Sequence, residues 1–336
     1  MFSWLKTLSS LKLTLVGMVL LGIGAGLSYG NPVDMPVWVL VVPLAILAAN
    51  LTAAILSNSG INRQPGLLVF HICLLSTVVL VGVGRLTHLD AHLELALGQS
   101  FSKDLLLEEK KGPWHAGNLD KVMFTQGPYT VQYDTGLRRG LTHSQVMVPG
   151  PDGQMVARDV GDDRPLIIER YRFYTTFNKG FSPVLTWIPD KGKPITGRIN
   201  MPSYPLYDYK QDNHWTPPGT HEEIKFWLRV KSGLTTDQPW VLDSRNSSGV
   251  LVVTTKDKRI ELKPGEVAKL KHGSLRYDRL SAWMGYRVFY DPTIQWLFFV
   301  TVTGVLGLIH YFWKKLNLSP WMTEDTTESQ TNEVRA

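Results

Sequence analysis

The chain has 336 residues, a formal net charge of +6, 44% hydrophobic residues and one cysteine. A charge this modest, with no concentrated basic patch, gives no footing for nucleic-acid binding. One cysteine excludes an intrachain disulfide and both the C-x-x-C and C-x-x-C-H motifs, while a mean hydropathy of −0.05 hides apolar spans cancelled by a long polar region.

Apolar spans fall at residues 13–29, 36–56, 66–84 and 293–313, each near the roughly 17–25 residues that cross a bilayer as a helix. A secretory signal is the alternative for the first, because Lys6 and Lys12 precede an apolar run ending in small residues. The second span follows so soon that little mature chain would separate them. Basic residues in the short flanks are Lys6, Lys12, Arg63, Lys314 and Lys315, whereas the loop between the first two spans carries only Asp34. The positive-inside bias then puts both termini and the Arg63 loop in the cytoplasm and the large middle region outside. Arg85 stands on the other side, at the head of a long domain for which the charge rule has little force. Trp4, Tyr29, Trp38, Trp296 and Trp313 lie where interfacial aromatics are expected. Gly22, Gly26 and Gly30 on the first span, and Gly304 with Gly307 on the last, offer faces for close helix packing.

The middle region opens with His88, His92 and Leu95 at helical spacing, with Gly98 as a stop signal, which predicts a short helix. Beyond Trp114 the segments are short, β-branched and aromatic, and separated by Gly, Pro, Asp or Asn, as in a β domain of hairpins, a sandwich or an open barrel. Turns are expected at residues 149–153, within a hairpin over 146–160, and at 263–265, within a hairpin over 260–270. About two hundred residues suffice for one core; two subdomains divided near the irregular stretch 204–220 are the alternative. The expected organisation is a cytoplasmic N-terminus with transmembrane helices one to three over 1–85, an extracytoplasmic β-rich domain over 86–291, a fourth transmembrane helix over 292–315 and a disordered cytoplasmic tail over 316–336. The fold class is thus a membrane protein with four transmembrane helices, three N-terminal and one C-terminal, and a large extracytoplasmic mainly-β domain.

No H-E-x-x-H, P-loop or Rossmann glycine pattern of soluble enzymes occurs. His221-Glu222-Glu223 lacks the second histidine of a zinc helix, and His88 with His92 supplies two ligands without a third. No catalytic residue and no metal site beyond haem iron is expected. Cys73, inside the third span, reads as a small packing residue. His71 differs, because an ionisable side chain inside a membrane span must face protein, a cavity or a ligand. Two readings stand: a neutral imidazole hydrogen-bonded within the helix bundle, or an axial ligand to haem iron. His310, near the cytoplasmic end of the last span, is read as snorkelling to the interface.

Ser10-Leu-Lys-Leu-Thr-Leu15, Asn50-Leu51, Gly66-Leu-Leu-Val-Phe-His71, Tyr171-Arg-Phe-Tyr174, Asn178-Lys-Gly-Phe181 and Tyr286-Arg-Val-Phe-Tyr-Asp-Pro292 together resemble the ResB family of cytochrome c biogenesis proteins. The motifs are short, and their order and the three-plus-one arrangement of spans carry the likeness along nearly the whole chain. The resemblance implies a subunit of the system II cytochrome c synthase in the bacterial inner membrane. Such a subunit works beside a CcsA-type membrane protein and an apocytochrome c, with room for a thiol-reducing partner. It implies haem b as a transient cofactor shared with the partner, with His71 at the position of the family's inner haem ligand. The chain has no tryptophan-rich haem-handling segment, so it is expected to be a non-catalytic part of a haem lyase complex, and its length is short for the family. Tyr204, Tyr207, Tyr209 and Trp215 form an aromatic, proline-rich stretch that suits contact with an extended partner; capping of the β core is the competing reading. A haem-free membrane scaffold for assembling a periplasmic or membrane complex is the alternative function.

Overall fold

The structure, a computed structural model, describes residues 3–30, 35–231 and 233–317. The tail expected over 316–336 lies almost wholly outside the described residues, as do Asp34 and the side chain of Trp4. Helices are α1 (Ser3–Leu8), α2 (Leu11–Gly30), α3 (Trp38–Ser57), α4 (Ser59–Asn62), α5 (Pro65–Thr87) and α6 (Ile294–Asn317). Four of them, α2, α3, α5 and α6, are long and apolar enough to cross a membrane. They are hydrophobic all round rather than striped, with Leu15, Val19, Ile23, Phe298, Phe299 and Ile309 exposed, as suits a lipid surround. The chain is therefore membrane-integral, with three such helices N-terminal and one C-terminal to a mainly-β region.

Small residues set the helix contacts. A Cβ at Gly307 would lie 2.9 Å from Val69 Cγ1 and one at Gly66 only 2.6 Å from the Gly307 carbonyl oxygen, while Gly304 faces Cys73. The packing of α6 on α5 thus needs glycine on both sides, as expected of Gly304 and Gly307. On α2 the contact falls elsewhere than the Gly22–Gly26–Gly30 row, around which nothing lies within 4 Å. Gly17 and Gly24 meet α3 instead, at Leu47 and at the Val39 carbonyl. Polar groups tie the same helices: Thr14 Oγ1 donates to Asn50 Oδ1 at 2.7 Å, and Asn50 Nδ2 donates to the Leu8 and Ser10 carbonyls. Asn50, buried in α3, satisfies carbonyls freed where α1 gives way to α2, which in lipid have no water to turn to.

The strands are β1 (Leu89–Ala96), β2 (Leu106–Lys111), β3 (Thr125–Asp134), β4 (Arg138–Pro149), β5 (Met155–Gly161), β6 (Leu166–Ile168), β7 (Tyr171–Pro189), β8 (Ile195–Arg198), β9 (Asp212–Trp215), β10 (Ile224–Val230), β11 (Trp240–Asp243), β12 (Gly249–Thr254), β13 (Arg259–Leu262), β14 (Val267–Leu270) and β15 (Gly273–Tyr290). They make three antiparallel sheets, with orders β2-β1-β15-β7-β6 (β14 also on β15, β8 also on β7), β13-β12-β10-β9 and β11-β3-β4-β5. One continuous core, from Leu89 through Phe173, Phe226 and Leu251 to Tyr290, joins all three, so the chain builds one β domain rather than two subdomains split near 204–220. Helices with residues 112–115 form one compact unit and the strands another.

Two local expectations are corrected. The helix expected at His88, His92 and Leu95 is absent: α5 ends at Thr87 and β1 begins at Leu89. Leu89, Ala91, Leu93 and Leu95 are all buried, and that period of two governs, not the histidine spacing. The turn at Lys263-Pro-Gly265 exists, with Glu266 N donating to the Lys263 carbonyl and Gly265 at φ 91°, but β13 and β14 do not pair with each other. β13 joins β12 and β14 joins β15, so this turn carries the chain between sheets. The hairpin over 146–160 forms as β4 and β5.

The longest ladder pairs β7 with β15 and holds three of the quoted motifs. Val288 faces Phe173, Arg287 faces Tyr174, and the Tyr171 and Tyr290 rings meet at a 42° tilt with centroids 4.8 Å apart. Register slips where Met284 pairs Lys179 and Tyr286 pairs Thr175, a bulge that folds residues 176–178 across Gly285. A Cβ at Gly285 would sit 2.6 Å from the Asn178 carbonyl oxygen. Tyr286, fully buried, anchors this place through Ser144 and Gln126, both at 2.7 Å.

Candidate functional site

His71 sits on the third apolar helix, α5, half-buried and edge-on to Phe70 with ring centroids 5.5 Å apart. Its Nδ1 lies 2.8 Å from the Leu67 carbonyl oxygen, one turn back. A carbonyl only accepts, so Nδ1 must carry the proton, and in the neutral ring Nε2 keeps its lone pair. Among the described residues Nε2 has no hydrogen-bond partner. A fixed tautomer with a free Nε2 is the donor form that ligates iron in haem proteins, so this residue fits the cofactor implied by the resemblance. His310, exposed on α6, does not complete a pair with it. Its Cδ2 would be 3.1 Å from a Cβ on Gly66, and Gly66 is five residues from His71, about 140° round the helix. Cys73 packs on Gly304. Among the described residues no three His, Cys, Asp or Glu side chains gather as a metal site would need.

In the β unit the stretch from Tyr204 to Trp215 divides its aromatics. Tyr204 is buried against Phe181 (5.0 Å) and Trp240 (6.1 Å), and Trp215 is half-buried against Trp187 (6.1 Å) and Phe226 (6.5 Å). Tyr207 and Tyr209 are 41% and 81% exposed and present their rings to solvent. The stretch is pinned by the buried Gln211, whose Nε2 donates to the Pro202 and Tyr207 carbonyls at 3.0 and 2.8 Å. Buried aromatics thus hold the loop down while its tip stays outside.

Beside this loop lies a polar recess of about 480 Å³. Trp283 of β15 lies across Gly180 of β7, where a Cβ would be 3.0 Å from the indole nitrogen, and that nitrogen donates to the Met201 carbonyl at 3.0 Å. Ser182 Oγ donates to Asn200 Oδ1 at 2.9 Å, and Asn200 Nδ2 donates to Glu94 Oε2 at 2.8 Å. Because a carboxylate only accepts, the chain of bonds fixes which way the Asn200 amide points. Asn213 Nδ2 donates to the Asn200 carbonyl and Ser203 Oγ to Asn178 Oδ1. None of Glu94, Asn200 or Trp283 stood out in the sequence, and Asn178 did so only as the start of the motif Asn178-Lys-Gly-Phe181. Glu94 is an outward position of an alternating strand, and only the β1–β15–β7 pairing brings it beside Asn200, 106 residues away.

No family model matches the chain, and no curated protein matches it. A solved structure described as "Cytochrome c Heme Lyase CcmF" aligns with 90% of this chain at 12% identity and a TM-score of 0.28. The chain spans 35% of that structure's length. A likeness of this size supports no inference about fold or function.

Proposed function

We propose that this chain is a haem-handling subunit for cytochrome c maturation of the ResB kind, non-catalytic by itself and acting with a CcsA-type membrane partner. One observation carries the reading: an imidazole within an apolar helix whose Nδ1 is held by Leu67 and whose Nε2 is left with a lone pair. An ionisable group so placed is costly and marks function in membrane helices. When bound, haem b would supply an iron centre that takes nitrogen ligands; His71 would be the residue on this chain that holds it, oriented by the Leu67 carbonyl. A further ligand would come from the partner, since His310 lies on another face. The positive-inside bias of Lys6, Lys12, Arg63, Lys314 and Lys315 supports placing both termini inside a bacterial cytoplasmic membrane, with the β unit outside. There the β unit would hold apocytochrome c, Tyr207 and Tyr209 being its exposed aromatic contacts.

Copurification with a CcsA-type partner in detergent tests this. Haem absorbance at bis-histidine positions is expected for the wild-type complex, a several-fold loss for His71→Ala, and recovery for His71→Gly on adding imidazole. Unchanged haem content and spectrum in His71→Ala would remove the ligand role. A second reading, a haem-free assembly scaffold, is favoured by the fact that the Leu67 carbonyl already satisfies one imidazole nitrogen without any ligand. It predicts a haem-free complex that still assembles with its partner.

A further inference from the structure

We propose that the recess beside Glu94 binds an extended polypeptide through one basic side chain, lysine or arginine, whose cation pairs with the Glu94 carboxylate. This names the chemistry of the client contact and to that extent rests on the function proposed above; none of it depends on haem. The argument begins with charge. The other half-buried carboxylates on strands each hold a cation: Asp90 with Arg287 (2.6 Å), Asp212 with Lys225 (3.2 Å), Asp243 with Arg245 (2.7 Å) and Asp278 with Arg276. Glu94, on β1 and equally half-buried, has no cationic partner among the described residues, although the chain carries six more Lys and Arg than Asp and Glu. Among the described residues its carboxylate's hydrogen bond is with the neutral Asn200 amide, at Oε2, which leaves Oε1 open. A half-buried carboxylate with an open oxygen and no counter-charge is placed to take a charge-assisted hydrogen bond from an incoming cation.

The surroundings choose the kind of cation. Half-buried Pro202, backed by the nearly buried Met201 and Trp283, gives the recess an apolar wall that suits the methylene stem of a long basic side chain. Asn178, on the wall with its Oδ1 held by Ser203 Oγ, has amide N–H groups to offer a peptide main chain. A divalent cation fits less well: calcium takes roughly six to eight oxygens, several from carboxylates, whereas the other carboxylate on the lining, Asp212, is engaged by Lys225. The lining also carries Lys210 and His214, so this is not a broad acidic patch, and the contact is expected to be one side chain deep.

The test uses the full chain in lipid nanodiscs passed over two immobilised random-host nonapeptide pools, one with a central arginine and one with citrulline, its uncharged isostere. At least fivefold greater retention on the arginine pool is expected, falling to the citrulline level in Glu94→Gln, which keeps an acceptor for Asn200 and so should fold. Equal retention on both pools, or retention unchanged in Glu94→Gln, would overturn the proposal. So would calcium binding that depends on Glu94 while the pools are not distinguished. His71→Ala should leave retention intact and Glu94→Gln should leave haem absorbance intact, which separates failure here from failure of the haem reading.

Discussion

Lys179 illustrates what a single buried charge does to this β unit. It is 1% exposed on β7, its Nζ donates to the Phe177 carbonyl at 3.1 Å, and it stands 5.7 Å from the Tyr133 ring centroid. Burial first, then the charge of Arg139, push its pKa down to about 7 from 10.5, with Asp162 opposing. Between those values the unfolded chain holds a proton that the folded chain has released, so stability rises with pH; the penalty of a charged buried lysine is fully present below about 7. The span is worth at most about 5 kcal/mol. Thermal unfolding of the whole chain in detergent should therefore give a midpoint that climbs from neutral to alkaline pH, and Lys179→Met should raise the neutral value and flatten the climb. Equal slopes in the two proteins would mean Lys179 stays protonated. Tyr286→Phe should cost about 1–3 kcal/mol, because Gln126 and Ser144, both buried, lose the hydroxyl that joins them. Denaturant titration reads that directly. Neither role is visible in the sequence, where both residues stand only within short motifs of a family resemblance.

At the scale of elements, glycine positions decide how helices and strands meet. Gly24→Leu and Gly307→Leu should each destabilise by about 1–3 kcal/mol or more through overpacking, since their Cβ atoms would meet the Val39 carbonyl at 2.7 Å and Val69 at 2.9 Å. Gly22→Leu, in open space and better for helix propensity, should be neutral or mildly stabilising. Thermal unfolding midpoints in detergent check all three, and a loss at Gly22 equal to that at Gly24 would contradict the α2–α3 packing. The sequence points to the Gly22–Gly26–Gly30 row; that Gly17 and Gly24 face α3 instead goes with the helix rotation fixed by the Thr14–Asn50 hydrogen bond. Strand pairing behaves alike. The β4–β5 hairpin is legible because one turn joins alternating runs, whereas β13 and β14 look like a hairpin and are not, since each finds its ladder with a strand already in another sheet.

For the whole molecule, the proposed orientation has a direct check, because Cys73 is the sole cysteine. In a Cys73→Ser background, Lys193→Cys on the β unit should react with a membrane-impermeant maleimide in intact cells. Arg63→Cys should react only after permeabilisation. The reverse pattern would invert the topology.

The sequence by itself determined the membrane class, the number and order of apolar helices and the β character of the region between them. These follow from local hydrophobic length and from residue types that prefer a pleated surface, and neither needs a neighbour to be read. It also singled out His71, since an ionisable residue inside an apolar run is conspicuous wherever it packs. The β1 strand is also legible in the sequence, in the alternation of Leu89, Ala91, Leu93 and Leu95 with polar residues. Tertiary structure alone decided that three sheets share one core and that Tyr204 and Trp215 turn inward while Tyr207 and Tyr209 stay out. It likewise placed Glu94, Asn200 and Trp283 around one recess. Those outcomes depend on contacts between residues well separated in the chain, 23 positions for Phe181 and Tyr204 and 106 for Glu94 and Asn200, and the pairing of β7 with β15 leaves no periodicity in either strand to announce its partner.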